Sequence, residues 1–109
     1  MNIKEYSYID IISISESDIK FYDGYVLNLE ECKKNWAINR SIPFNDTSCV
    51  ASRDITSNPP YFLFHLAKGI DVKLCFEYKG LLRKRRAEKS FMLFQAKINS
   101  MGYSTYDES

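Results

Sequence analysis

Tyr61-Phe62-Leu63-Phe64-His65-Leu66-Ala67-Lys68-Gly69-Ile70-Asp71-Val72-Lys73-Leu74-Cys75-Phe76-Glu77-Tyr78 is the stretch that decides the fold. Tyr61 to Leu66 is an apolar run of strand length, and Ala67-Lys68-Gly69 reads as a turn. Beyond it Val72, Leu74, Phe76 and Tyr78 alternate with Lys73, Cys75 and Glu77, the two-residue period of a strand with one buried face. A turn this short joins the two strands as an antiparallel hairpin, because a parallel crossover needs a connection of about a dozen residues. A doubly wound parallel sheet is thereby excluded. Within the first strand His65, the only histidine, shares a face with Tyr61 and Leu63, opposite Phe62, Phe64 and Leu66.

Outward from the hairpin, the C-terminal side reads as one long helix. Ala87, Phe91, Phe94, Ile98 and Met101 step by four, three, four and three, which lays a single apolar stripe along a helix over 81–101. Gly102 falls where a left-handed C-cap is expected. On the N-terminal side, Val50 to Ile55 fits a strand and Thr56-Ser57-Asn58-Pro59-Pro60 a loop. Pro-Pro either fixes the entry into an edge strand or displays Tyr61 to a partner. Asn28 followed by Glu31 has the spacing of a capping box, with Leu29, Cys32 and Trp36 at helical intervals behind it. That predicts a helix over 29–39, with Pro43 preventing its continuation. Tyr6 to Ile14 reads as a strand, Ser15 to Asp18 as a turn, Ile19 to Tyr22 as a short returning strand, and Asp23-Gly24 as another turn. The expected order is β(β)αβββα in a single domain over 1–109. Its class is α+β, a mostly antiparallel sheet of about four or five strands with two helices packed on one face.

The composition has enough apolar and aromatic residues for one core, and no apolar run approaches the roughly 18 to 20 residues that span a bilayer. Met1 to Ser7 has no basic leader feeding an apolar segment, so no signal peptide is expected. Three widely spaced cysteines, Cys32, Cys49 and Cys75, suit free buried thiols in a reducing cytoplasm better than a disulfide framework. A cytoplasmic protein without a membrane partner is the expectation.

A net charge of +1 conceals a dipolar layout. Residues 1–31 hold seven acids against two lysines, a balance of −5, and residues 79–97 hold seven bases against one acid, a balance of +6. The basic excess centres on Arg83-Lys84-Arg85-Arg86 and Lys89, at the start of the predicted second helix. A helix N-terminus carries partial positive charge and favours acids, so four consecutive bases there are locally unfavourable. An acidic surface of the same molecule, an anionic partner, or solvent must compensate. Phosphate neutralisation by these bases is one reading. A near-neutral total and an acidic first third argue against nucleic acid, as does the absence of a recognisable base-stacking motif.

No catalytic signature accompanies these features. His65 has no Asp, Glu or Cys at metal-ligand spacing, the cysteines form no C-x-x-C pair, and the four glycines are not clustered into a phosphate loop. Glu30-Glu31 is accounted for by helix-start electrostatics. No catalytic residue, metal or cofactor is therefore expected. The tail Gly102-Tyr103-Ser104-Thr105-Tyr106-Asp107-Glu108-Ser109 combines tyrosines with acids and reads either as a frayed end or as an interface segment.

Val50-Ala51-Ser52-Arg53-Asp54-Ile55 through Asn58-Pro59-Pro60-Tyr61-Phe62, then a hairpin, then a helix closing in Gly102 to Asp107, resembles small bacterial immunity proteins that protect cells from contact-dependent growth inhibition toxins. The resemblance covers about the last 60 residues. It implies a cytoplasmic, non-enzymatic protein that binds and blocks a cognate toxin domain, often a nuclease. Such a partner presents a basic active site, so the expected binding residues are acidic or aromatic and lie in turns or at the tail. They are Glu16, Asp18, Asp23, Tyr103, Tyr106, Asp107 and Glu108. The alternative is a small nucleic-acid-binding or phage-encoded regulatory protein that uses Arg83, Lys84, Arg85, Arg86 and Lys89. A metabolic or hydrolytic enzyme is a third class.

Overall fold

A computed structural model describes residues 2–109. In chain order its elements are β1 (Asn2–Ser7), β2 (Ile11–Ser15), β3 (Asp18–Phe21), β4 (Val26–Asn28), α1 (Leu29–Asn39), β5 (Cys49–Asp54), β6 (Tyr61–His65), β7 (Ile70–Cys75), α2 (Arg83–Ser100) and β8 (Ser104–Asp107). The strands form two sheets, one of order β1-β7-β6-β5-β8 and one of order β2-β3-β4. The class is α+β and pairing is mostly antiparallel, with β5-β6-β7 as the antiparallel centre of the larger sheet. Its two edges are parallel: β1 runs beside β7 and β8 beside β5. The larger sheet is thus mixed, and the strand count exceeds the four or five expected.

The hairpin forms as its alternation requires. Phe62 faces Leu74 and Phe64 faces Val72, all four fully buried, whereas Tyr61, Leu63 and His65 on the other side are only half-buried. The two-residue period thus separates a core face from a partly open one. Six of the seven phenylalanines are buried, so the core is largely aromatic. Phe62 stacks on Phe91 of α2 with ring centroids 4.4 Å apart and meets Phe94 edge-on at 5.0 Å. Ala87, Phe91, Phe94 and Ile98 are the buried stripe of α2, in the phase expected from their spacing. Each fully buried ring stabilises by roughly 1.5–3 kcal/mol in transfer terms. Leu29 and Cys32 of α1, Ile19 and Phe21 of β3, and Leu27 of β4 join the same cluster, so both helices and the small sheet close one core.

Local chemistry sets the ends of both helices. Asn28 Oδ1 accepts from the Glu31 backbone N–H at 2.8 Å, the N-cap bond anticipated for α1, and Asn28 Nδ2 donates to Asp18 Oδ1 at 2.8 Å. At the other end of the chain Gly102 adopts φ +91°. Its N–H donates to Asn99 O, and the Tyr103 N–H donates to Ile98 O, the paired bonds of a Schellman cap. This cap turns the chain out of α2 and directly into β8.

Three boundaries differ from the sequence expectation. The strand expected over Tyr6–Ile14 is two strands in two sheets. Between them Ser7 donates its N–H to Asp10 Oδ2 at 2.9 Å, and the 3-10 turn Tyr8–Asp10 redirects the chain. The tail is not frayed at 104–107: β8 pairs with β5, and Arg53 Nη1 donates to the Thr105 carbonyl and hydroxyl. The second helix starts at Arg83 rather than 81, because Leu82 takes a left-handed conformation with φ +64°.

Candidate functional site

The structure sorts the expected binding residues into separate places. Tyr103, placed by the α2 cap, comes close enough to Glu30, Ser17 and Asp18 for all three to act on its hydroxyl. Burial, then Glu30, raise the Tyr103 pKa above its ordinary value. Glu16, exposed in the turn between β2 and β3 at φ +50°, borders this group through Ser17. Residues from the first hairpin, the start of α1 and the C-terminal segment therefore make one acidic, tyrosine-bearing patch. Glu30 belongs to it although the spacing argument assigned it only to helix electrostatics.

Asp23 lies elsewhere, at the other end of β3, on the order of 10 Å along the strand from Asp18. It accepts from the Tyr6 hydroxyl at 2.8 Å and the Tyr25 N–H at 3.0 Å and pairs with Lys4 Nζ at 3.7 Å. The Tyr25 N–H, then the Tyr6 hydroxyl, hold its carboxyl below the usual range. Asp107 sits in β8 opposite Arg53, with Oδ2 3.9 Å from Nη2, and its carboxyl is lowered chiefly by the Ser109 N–H. Glu108 donates its backbone N–H to Arg53 O. Tyr106 is exposed and rests beside Trp36, ring centroids 6.2 Å apart.

Arg83, Lys84, Arg85, Arg86 and Lys89 are all exposed on the first two turns of α2. Among the described residues none of the five lies within ion-pairing distance of a carboxylate; the ion pairs present are Lys4–Asp23, Arg53–Asp107, His65–Asp71 and Lys73–Glu5. The acidic first third of the chain does not neutralise them. Nor does the helix: its first turn has no acid and Leu82 provides no side-chain cap. A left-handed leucine adds roughly 1–2 kcal/mol of backbone cost. Two unfavourable local choices, charge against the helix dipole and a bulky residue at positive φ, thus coincide at one exposed spot.

Beside this spot Arg83 and Lys84 edge a groove of about 420 Å³ between α2 and the loop over 55–60, with Pro60, Phe76 and Tyr78 in its wall. Glu77 and Glu88 also line it, so its fixed charges balance. The acidic patch and the basic cluster lie at opposite ends of α2, whose 18 residues span about 27 Å.

One association escaped sequence reasoning. His65 Nδ1 lies 3.0 Å from Asp71 Oδ1, because the hairpin register sets the two residues opposite each other. Asp71 is buried, and Trp36 lies beside the imidazole, at a centroid distance of 6.3 Å, with the Arg40 guanidinium 3.3 Å from the indole centroid. Six residues of sequence separation hid the pair; counting register back from the turn would have found it. Asp71 lies against one imidazole nitrogen, and the Trp36 indole packs beside the ring. Among the described residues no group of three or more His, Cys, Asp or Glu side chains is placed to hold a metal ion.

Comparison of the chain with family profiles, with characterised proteins and with solved structures finds no match.

Proposed function

We propose that this chain is a toxin-neutralising binding protein of the immunity class. It holds its partner through the acidic patch of Glu16, Asp18, Glu30 and Tyr103. The single observation that carries this reading is the convergence of three distant segments on that patch, with a half-buried tyrosine at its centre. Tyrosine supplies a rigid anchor with a polar tip, and the surrounding carboxylates complement the basic cleft of a phosphate-handling toxin. Such charge complementarity accelerates encounter and suppresses wrong partners. In this reading the protein performs no chemistry of its own.

The test is titration of the purified protein against any toxin domain encoded by the neighbouring gene, together with protection of cells producing that toxin. Paired reversal Glu16→Lys and Glu30→Lys should weaken binding about tenfold or more and remove protection at limiting dose. Asp18 and Asp23 hold structural hydrogen bonds, so reversal there is read against thermal unfolding of the same variant. Arg85→Glu with Arg86→Glu should change toxin binding less. Failure to bind the toxin, or dominance of the arginines, refutes the assignment.

A second reading, a small nucleic-acid-binding or phage-encoded regulatory protein, draws on the five unpaired cations. It requires affinity that falls with salt by about 0.7 to 0.9 log units per log unit for each phosphate neutralised. A filter-binding titration over salt decides it.

A further inference from the structure

The outward side of α2 is the complement of its buried stripe. Opposite Ala87, Phe91, Phe94 and Ile98, the residues Arg85, Lys89, Met92, Leu93 and Ala96 recur at helical spacing and are all exposed. None of them is acidic, and the only acid of α2, Glu88, lines the neighbouring groove instead. Ahead of this side, Gly80 turns the chain at φ +89°, and Leu81 and Leu82 project with 93% and 65% exposure. Scattered exposed apolar residues are ordinary. Two adjacent leucines on a strained turn, followed at once by four unpaired bases and then by exposed Met92 and Leu93, form a continuous amphipathic strip.

We propose that this strip binds the surface of an anionic phospholipid bilayer. Leu81 and Leu82 enter the boundary between headgroups and acyl chains, and Arg85, Arg86 and Lys89 lie among the lipid phosphates, with Arg83 and Lys84 at the groove edge beside them. Charge complementarity commits the surface to an anionic occupant, since clustered bases beside an amphipathic helix are drawn to acidic lipid. The leucines choose among anionic occupants. Nucleic acid satisfies the bases but leaves Leu81, Leu82, Met92 and Leu93 in water, whereas a bilayer takes up both. The helix lies on the membrane and does not enter it, because among the described residues no helix is long and apolar enough to cross. This surface is distinct from the proposed toxin-binding patch, and either can hold without the other.

Co-sedimentation with large vesicles tests the proposal. The full chain should partition onto vesicles containing about 30% phosphatidylserine at about 0.1 M salt, and not onto pure phosphatidylcholine. Partition should weaken strongly by about 0.5 M salt. Arg85→Gln with Arg86→Gln should weaken it about 30-fold, taking the attraction per base near an acidic surface. Leu81→Ser with Leu82→Ser should weaken it at least about tenfold at low salt while leaving the melting temperature unchanged or raised. Absence of partition onto the acidic vesicles overturns the proposal. So does binding that the leucine pair does not affect, or tighter binding of duplex or single-stranded nucleic acid than of vesicles under the same salt.

Discussion

Phe94→Ala isolates the contribution of the α2 stripe to stability. Phe94 is buried, with ring centroids 5.0 Å from Phe62, 5.7 Å from Phe76 and 6.4 Å from Tyr8. Truncation removes the transfer free energy of the ring and leaves a hole walled by those three side chains. They are poorly placed to collapse into it, because Phe62 is stacked on Phe91 at 4.4 Å and Tyr8 on Phe76 at 4.9 Å. The cost therefore belongs in the upper part of the range for such changes, about 4–5 kcal/mol. Against a total stability of about 5–15 kcal/mol for a domain, that takes away a large share. The melting temperature should drop by about 15–25 °C, and the urea midpoint by about 2 M at a slope near 2 kcal/mol/M. Far-UV circular dichroism during thermal and urea unfolding reads both values. Leu93→Ala, one position along on the exposed side at 58% exposure, is the internal control and should stay within about 0.5 kcal/mol of the parent. A loss at Phe94 below about 1.5 kcal/mol, or an equal loss at Leu93, would show that the helix is rotated or that its stripe is not the core.

Two further outcomes follow from the titratable groups. The Asp23 carboxyl is held below its usual pKa, so its contribution is present above the unfolded value of about 3.9 and is lost as pH falls through the lower folded value. Asp23→Asn should accordingly flatten the acid limb of melting temperature against pH, and an unchanged acid limb would contradict the network with Tyr6, Tyr25 and Lys4. Burial pushes the Cys32 thiol up to about 12 and the Cys75 thiol up to about 11, while Cys49 is half-exposed. A disulfide-exchange reagent at mildly alkaline pH should titrate Cys49 first and the other two only on unfolding. Because unfolded thiols ionise near pH 8.5, stability should fall as pH rises beyond that value; three equally fast thiols would refute the burial.

Local signals were sufficient for α1, the phase of α2 and the central hairpin. Asn28 caps its helix through its own side chain, Gly102 supplies a conformation that most residues resist, and Val72 and Leu74 alternate inside one strand. Each of these is a contest between near neighbours, and near neighbours are what a sequence displays. The basic excess over 79–97 and the acidic excess over 1–31 were equally legible as charge. The placing of Arg83 to Lys89 and of Glu16, Asp18 and Glu30 at opposite ends of α2 was not, since it depends on where the Schellman cap delivers Tyr103. The break at Ser7–Asp10 illustrates the limit: Tyr6 to Ile14 has strand-forming residues throughout, and only the demands of two different sheets divide it. β1 and β8 are edge strands whose partners lie about 70 and 50 residues away in the chain. Their backbone bonds depend on the completed centre of the sheet rather than on any propensity of Asn2 to Ser7 or Ser104 to Asp107. The acid–tyrosine patch, the His65–Asp71 pair and the leucines that project beside unpaired arginines likewise arise only when register and helix ends are set. Sequence thus determined which segments are helix, hairpin and charge, because those are local balances; tertiary structure decided which side chains meet, because that depends on pairings across the whole chain.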